Sequence, residues 1–199
     1  MSERQRMIWL AGDILKEPSH ICAFFHSLDE QYQGVLPFIK EGIDQGEQAF
    51  HVIDPNMHTE HLSRLKAADT DVEAAKRRGQ IEIRSWEEAY LRGYRFDLVE
   101  WLCLPEAVIT GRYLQGPLPV RIVADMGWAL ADIPGVDDLM EYEARLNNLE
   151  AQIAHQQSII CTCDLTRFGA GLIIDTLRTH PRGRRSDSCA ASAGGLDCL

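Results

Sequence analysis

Short apolar runs rich in β-formers alternate along this chain with longer stretches in which apolar residues recur every three or four positions. His20-Ile-Cys-Ala-Phe-Phe25 is the first clear strand signal, and Ser27-Leu-Asp-Glu30 follows it with the spacing of a helix capping box. The spacing of Leu28, Tyr32, Val35, Leu36, Ile39 and Ile43 predicts a helix closed near Gly46. A second strand, Gln48 to Ile53, ends at Asp54-Pro55. Helices are expected at 59–68 and 72–78. They are followed by the alternating strand Gln80-Ile-Glu-Ile-Arg84, whose polar positions suit a sheet edge. Helical patterning resumes at Trp86 and again over 96–114, with an interruption near Pro105. Val120 to Ala124 then reads as a strand ending at Asp125. Pro134 opens a predicted helix to about Ala154, with Leu139, Tyr142, Leu146 and Leu149 on one face. Ser158 to Cys163 is the last strand and Phe168 to Leu177 the last helix.

Strands alternating with helices in this way predict an α/β fold of three layers: a mostly parallel central sheet with helices on both faces. Ligands of such sheets sit at the carboxyl ends of the strands. That rule singles out His26 and Ser27, Asp54 and Pro55, Asp125 to Trp128, and Asp164 to Arg167. Residues 1–18 read as a lead-in and 19–181 as the folded domain. Residues 182–199, rich in Arg, Ser, Ala and Gly, read as a disordered tail.

Composition narrows the class. A chain of 199 residues, 45% hydrophobic and 25% charged, suits one soluble domain. No apolar run approaches the roughly 18 to 20 residues of a membrane span, and no apolar stretch follows the basic start, so a cytoplasmic location is expected. In that setting the six cysteines are expected as thiols. The formal net charge of −10 argues against nucleic acid as a direct partner.

Strand, loop, helix and a later strand ending in Asp form the layout of a P-loop protein, but the loop chemistry is missing. Phe25-His-Ser-Leu-Asp-Glu-Gln31 has neither the glycines nor the lysine that surround phosphate, and Asp29 and Glu30 compete for the helix N-terminus. A second constellation is thiol and imidazole. His20 and Cys22 share one strand face, and Cys161 and Cys163 share one face of another. If those strands are neighbours with the faces together, the four can hold a soft metal or a haem. Otherwise the cysteines serve as small core residues, which is a common role for buried Cys. Asp125-Met-Gly-Trp128 offers a polar contact and an apolar wall for a small ligand, or else a buried Trp supporting the turn. Asp137, Asp138, Glu141, Glu143 and Glu150 read as a solvated helix face with Glu141 and Arg145 as an i,i+4 pair. No nucleophile elbow or other catalytic order appears, and an enzyme is not expected.

Several phrases together form a pattern. His20-Ile-Cys22, Leu36-Pro-Phe-Ile-Lys-Glu-Gly42 running into Gly46-Glu47, Val52-Ile-Asp-Pro55, Trp86-Glu-Glu-Ala-Tyr-Leu91, Arg121-Ile-Val-Ala-Asp-Met126, Trp128-Ala-Leu130, Tyr142-Glu-Ala-Arg-Leu-Asn147, Cys163-Asp-Leu165 and Thr179-His-Pro181 resemble the MEDS domain, a sensory domain of methanogens and methylotrophs. The resemblance covers roughly Ser19 to Pro181. It implies a RecA-like or KaiC-like fold without a functional P-loop, with Asp125 at the Walker B position. It also implies sensing of small organic, hydrocarbon-derived ligands, in proteins where the domain accompanies a histidine kinase or a regulator. After Pro181 similar chains continue with an apolar, Gly-containing strand, which Arg-Gly-Arg-Arg185 and the tail replace here. A frameshift or truncation in the gene is one hypothesis for this, checked by resequencing. It would leave a sheet edge open to pairing with another chain, as in a homodimer.

The leading functional expectation is therefore a ligand-sensing regulatory module that signals through a protein partner. Its candidate ligand-binding residues are His20, Cys22, His26, Asp54, Asp125 and Trp128. The cofactor is unassigned, and the metal alternative is His20, Cys22, Cys161 and Cys163. Two competing functions are a degenerate nucleotide binder and a structural interaction module with no small ligand.

Overall fold

The structure, a computed structural model, describes residues 8–10, 13–15, 20–91, 95–96, 119–131, 133–152, 157–179 and 184–185. Two short antiparallel strands, β1 (Ile8–Leu10) and β2 (Asp13–Leu15), lie in what the sequence offered only as a lead-in. The main elements follow in order: β3 (His20–Phe25), α1 (Leu28–Asp44), β4 (Gln48–Ile53), α2 (His58–Ala67), α3 (Val72–Arg77), β5 (Ile81–Ser85), α4 (Trp86–Tyr90), β6 (Val120–Asp125), α5 (Leu139–Gln152), β7 (Gln157–Asp164), α6 (Ala170–Thr179) and β8 (Arg184–Arg185). The sheet runs β5-β4-β6-β7-β3-β8 with every pair parallel. The expected edge strand β5 is indeed at one edge. At the other, Arg184 and Arg185 pair with Ala23 and Phe24, so the expected tail begins with a sheet contact. The rest of 182–199 lies outside the described residues.

Strand periodicity divides the interior in two. Ile21, Ala23, Phe25, Ala49, Val123 and Ile160 face α1, α2 and α3, which cover them with Tyr32, Val35, Phe38, Ile39, Leu65, Val72 and Ala75. Cys22, Phe24, Phe50, Val52, Ile122, Ala124, Ile159, Cys161 and Cys163 face the other way, under Tyr90, Leu139, Tyr142 and Leu146. Strands buried on both faces read as continuous apolar runs, which explains why β3 and β7 show no alternation.

Local signals set the boundaries. Ser27 is extended, at φ −153° and ψ 160°, and its Oγ accepts the Glu30 N–H at 3.2 Å. The reciprocal half of the expected capping box is displaced by one residue, since Glu30 Oε2 accepts the N–H of His26 at 2.6 Å. Gly46, at φ 77°, takes the left-handed position just after α1 that only glycine occupies without strain. Three expected helix boundaries shift. Pro134 and Gly135 form a turn ahead of a short 3₁₀ segment at Val136–Asp138, because Gly135 is left-handed at φ 94° and a Cβ there would meet the Phe96 carbonyl oxygen at 2.4 Å. Phe168 belongs to the turn after β7, its N–H bonded to the Asp164 carbonyl, so α6 starts at Ala170. Phe96 is not helical and donates its N–H to the Pro134 carbonyl, while the remainder of the helix expected over 96–114 lies outside the described residues.

A buried cation ties the end of α1 to the sheet. The Arg121 side chain on β6 is 1% exposed. Its Nε donates to Glu47 Oε2 at 2.5 Å, and its Nη1 donates to Glu41 Oε2 at 2.9 Å and to the Phe38 carbonyl at 2.6 Å. The guanidinium lies 4.8 Å from the Phe38 ring centroid. Gly42 makes room for it, since a Cβ there would sit 2.6 Å from Arg121 Cδ. Glu47→Ala should therefore cost about 3–5 kcal/mol in urea denaturation, the usual penalty for removing one partner of a buried ion pair. Glu41→Ala, removing a partner that keeps 25% exposure, should cost distinctly less.

Candidate functional site

The carboxyl ends of β4, β6 and β7 and the first turns of α1 and α2 enclose a cleft lined by Leu28, Gln31, Tyr32, Asp54, His61, Asp125 and Thr162, among others. Its free space is about 30 Å³. A single water needs roughly 10–15 Å³ on the same measure, so the cleft admits one or two water-sized groups. Of the six candidate ligand residues, only Asp54 and Asp125 line it. Asp54 caps the short 3₁₀ turn Pro55–Met57 by accepting the Asn56 N–H at 2.9 Å. Asp125 Oδ1 accepts the Gly127 N–H at 2.7 Å. Burial raises the Asp125 carboxyl to about 6. The Gly127 bond and the Arg167 charge oppose that rise, while Asp54 and Asp164 add to it.

A relay of buried polar groups backs the cleft. The Tyr32 hydroxyl meets His61 Nδ1 at 2.9 Å, and His61 Nε2 meets His51 Nδ1 at 3.0 Å, with the two imidazoles edge to face. Burial, then the neighbouring His61, lowers the His51 pKa. Burial, then His58, lowers that of His61 to about 4. Both rings are therefore neutral at pH 7. Neither histidine was a sequence candidate. The available signal was a lone His inside the otherwise apolar centre of β4, but its partner on α2 is adjacent only after folding.

The loop after β3 presents acids where a phosphate loop presents open amides. Its first amide, on His26, is taken by the Glu30 carboxylate, and Ser27 Oγ holds the Glu30 amide. Asp29 adds a second acid there, bound by Arg64 at 2.6 Å. The His26 residue itself is exposed, outside the cleft lining. Trp128 is fully buried, stacked 5.1 Å from the Phe96 ring and 5.3 Å from Tyr90, so it supports the core behind β6 instead of forming a ligand wall.

His20 and Cys22 lie on the opposite face of the sheet from the cleft. The condition set for the thiol and imidazole cluster is met. β3 and β7 are hydrogen-bonded neighbours with Cys22 beside Cys161, and both residue pairs face α5. The contacts differ from the expected set of four, however. His20 Nε2 approaches Cys161 Sγ at 3.2 Å and Glu143 Oε2 at 3.3 Å, while Cys22 and Cys163 pair with each other at 3.2 Å. Glu143 corrects the reading of α5 as a solvated acidic face. Glu141 does pair with Arg145 at the surface, but Glu143 is 0% exposed, one position after the buried Tyr142 and turned into the core. Helical periodicity placed it near the border of the apolar stripe, where sequence alone does not fix the side. The Cys22 thiol is raised by its bond to Cys163 and by burial, which keeps it protonated. Among the described residues Cys22, Cys161 and Cys163 are thiols, not disulfides.

Fold and site together define a RecA-like α/β protein that keeps the acid-tipped strand of its class but lacks the phosphate loop. A solved KaiC-like protein from Pyrococcus horikoshii OT3 superposes with a TM-score of 0.55 at 13% identity, covering 79% of this chain and 67% of that one. Residues 19–181 match the family model described as MEthanogen/methylotroph, DcmR Sensory domain, and the chain belongs to that MEDS family. It is 26% identical over 173 residues to the transcriptional repressor DcmR of Methylorubrum extorquens (strain DM4). The match covers 86% of this chain and 61% of the repressor, so the chain spans less than two thirds of that relative. Among the described residues no helix is long and apolar enough to cross a membrane.

Asp125 makes stability depend on pH with a defined sign. Its pKa is higher folded than unfolded, so the folded state holds the extra proton between about pH 4 and 6, and stability from this group falls as pH rises through that window. Asp125→Asn should remove that fall and be the more stable form at pH 7, by at most about 3 kcal/mol. The neutral histidines act in the opposite direction, losing stability as pH drops from about 6.5 toward 4. Denaturation profiles of wild type, Asp125→Asn and His61→Gln between pH 4 and 7 separate the two slopes.

Proposed function

We propose that this chain is a sensory module for signal transduction or transcriptional control. In this reading it detects a small, non-anionic organic molecule at the cleft between Asp54, Asp125, Tyr32 and His61 and passes the signal to a protein partner, such as a histidine kinase or a regulator. The observation that carries the reading is the Glu30 carboxylate on the His26 amide. It takes the first amide of the loop after β3 and leaves beside it a small cleft whose polar groups are two acids, Gln31, Thr162 and the Tyr32–His61 pair. Two carboxylates at the rim repel anions, while apolar Leu28, Val35 and Met57 favour a compact ligand of few heavy atoms. Membership of a sensory family and similarity to a transcriptional repressor support a regulatory output and weigh against catalysis.

Thermal unfolding tests this directly. A bound ligand at a hundred times its dissociation constant adds about 2.7 kcal/mol of stability. A panel of one-carbon alcohols, amines and halocarbons should contain a compound that raises Tm in the wild type and loses most of that effect in Asp125→Asn. Mg-ATP should leave Tm unchanged. A nucleotide-dependent rise would replace this reading with a nucleotide binder, and a panel without effect alongside a concentration-dependent dimer would favour an interaction module.

A further inference from the structure

The cluster on the other face of the sheet carries an inference independent of the cleft. His20, Cys161 and Glu143 arrive from β3, β7 and α5, and all three are buried in an otherwise apolar core. One donor atom from each lies within 4.8 Å of the other two. Tetrahedral zinc with ligand bonds of about 2.0–2.3 Å separates its ligands by roughly 3.3–3.8 Å. His20 Nε2 stands 3.2 Å from Cys161 Sγ and 3.3 Å from Glu143 Oε2, close to that spacing without rearrangement.

The imidazole is also oriented as a ligand. Asn147, one helical turn beyond Glu143 on α5, donates its side-chain N–H to the Thr179 carbonyl at 2.6 Å. This turns Oδ1 toward His20 Nδ1, at 2.9 Å. Nδ1 is therefore the donor, and the lone pair of Nε2 points at the thiol and the carboxyl group. A second-group contact of this kind fixes the tautomer of metal-binding histidines.

We propose that His20 Nε2, Cys161 Sγ and a Glu143 carboxylate oxygen hold one borderline divalent cation, Zn²⁺ by preference, with water in the fourth position. The donor set of one sulfur, one nitrogen and one oxygen suits zinc and disfavours magnesium or calcium. A thiolate, a carboxylate and a neutral imidazole around a divalent ion sum to zero charge, which makes the centre compatible with its apolar surroundings. On binding, the thiol proton leaves to solvent and the sulfur–metal bond forms, with no redox step. Because the ligands come from two adjacent strands and the helix above them, the ion would pin α5 to the sheet. The pairing of Cys22 with Cys163 next to the site leaves Cys161 as its sulfur ligand.

The test uses the full chain, reduced, stripped with EDTA and titrated with Co²⁺ and then Zn²⁺. One Co²⁺ per chain is expected, with the visible bands of a tetrahedral site and a near-ultraviolet thiolate charge-transfer band, both erased by Zn²⁺. Cys161→Ser should abolish the charge-transfer band, and Asn147→Ala should weaken binding about 10- to 100-fold. A Cys189→Ser/Cys198→Ser double variant should bind as wild type. Absence of stoichiometric binding would instead assign the centre to a proton shared by His20 and Glu143 and overturn the proposal, as would a spectrum unchanged in Cys161→Ser. Should that variant fold poorly, the wild-type Tm decides: an EDTA-reversible rise with Zn²⁺ supports the site, and no rise rejects it.

Discussion

The parallel pairing of β3 with β7 is the constraint on which the rest depends. Its register sets Cys22 against Cys161 and Phe25 against Asp164, and each step of one residue along it exchanges the two faces of the sheet. In this register Ile21, Ala23, Phe25 and Ile160 enter the core beneath α1, while Cys22, Phe24, Cys161 and Cys163 enter the core beneath α5. The same ladder delivers the loop after β3 to the mouth of β7, where the Leu165 N–H bonds to the Phe25 carbonyl at 2.8 Å. A slip of one residue would place His20 and Cys22 on the face of α1 and dissolve both the thiol cluster and the apolar seat of α1.

The two faces then carry different chemistry. On the α1 face, polar groups gather toward the carboxyl ends of the strands, where Asp125, Thr162, Tyr32 and His61 border open space and His51 lies buried behind them. Deeper on that face, Arg121 is matched by Glu47, Glu41 and a carbonyl, so its charge is compensated within the protein. On the α5 face the polar groups are sealed from solvent and meet each other: imidazole, thiol and carboxyl within hydrogen-bond range. Open polar groups at a strand mouth suit exchange with a small ligand, whereas sealed ones in an apolar core suit a tightly held partner such as an ion or a proton.

The difference between the loop after β3 and a phosphate loop is local. The strand–loop–helix unit and the acid-tipped β6 persist, yet one side chain, Glu30, reaching back to the His26 amide is enough to take the group that an anion would need. The fold thus keeps a crevice at its strand mouths while the side chains of the neighbouring loop set its chemistry.

Much of this was legible in the sequence, because it rests on local physics. Apolar runs gave β3, β4, β6 and β7, the helical spacing of Tyr32, Val35 and Ile39 gave α1, and polar alternation gave β5 as an edge. The absence of glycine and lysine after Phe25 was already a statement about phosphate. What sequence could not decide were contacts between residues distant along the chain. The pairing of β3 with β7, 141 positions on in the case of His20 and Cys161, brought His20 against Cys161 and Glu143 and set Cys22 beside Cys163. The side taken by Glu143 at the border of a helix stripe, the meeting of His51 with His61, and the retreat of Trp128 into the core each depend on which surface packs above them. Periodicity tells a residue which face it is on, and only the tertiary structure determines what that face meets.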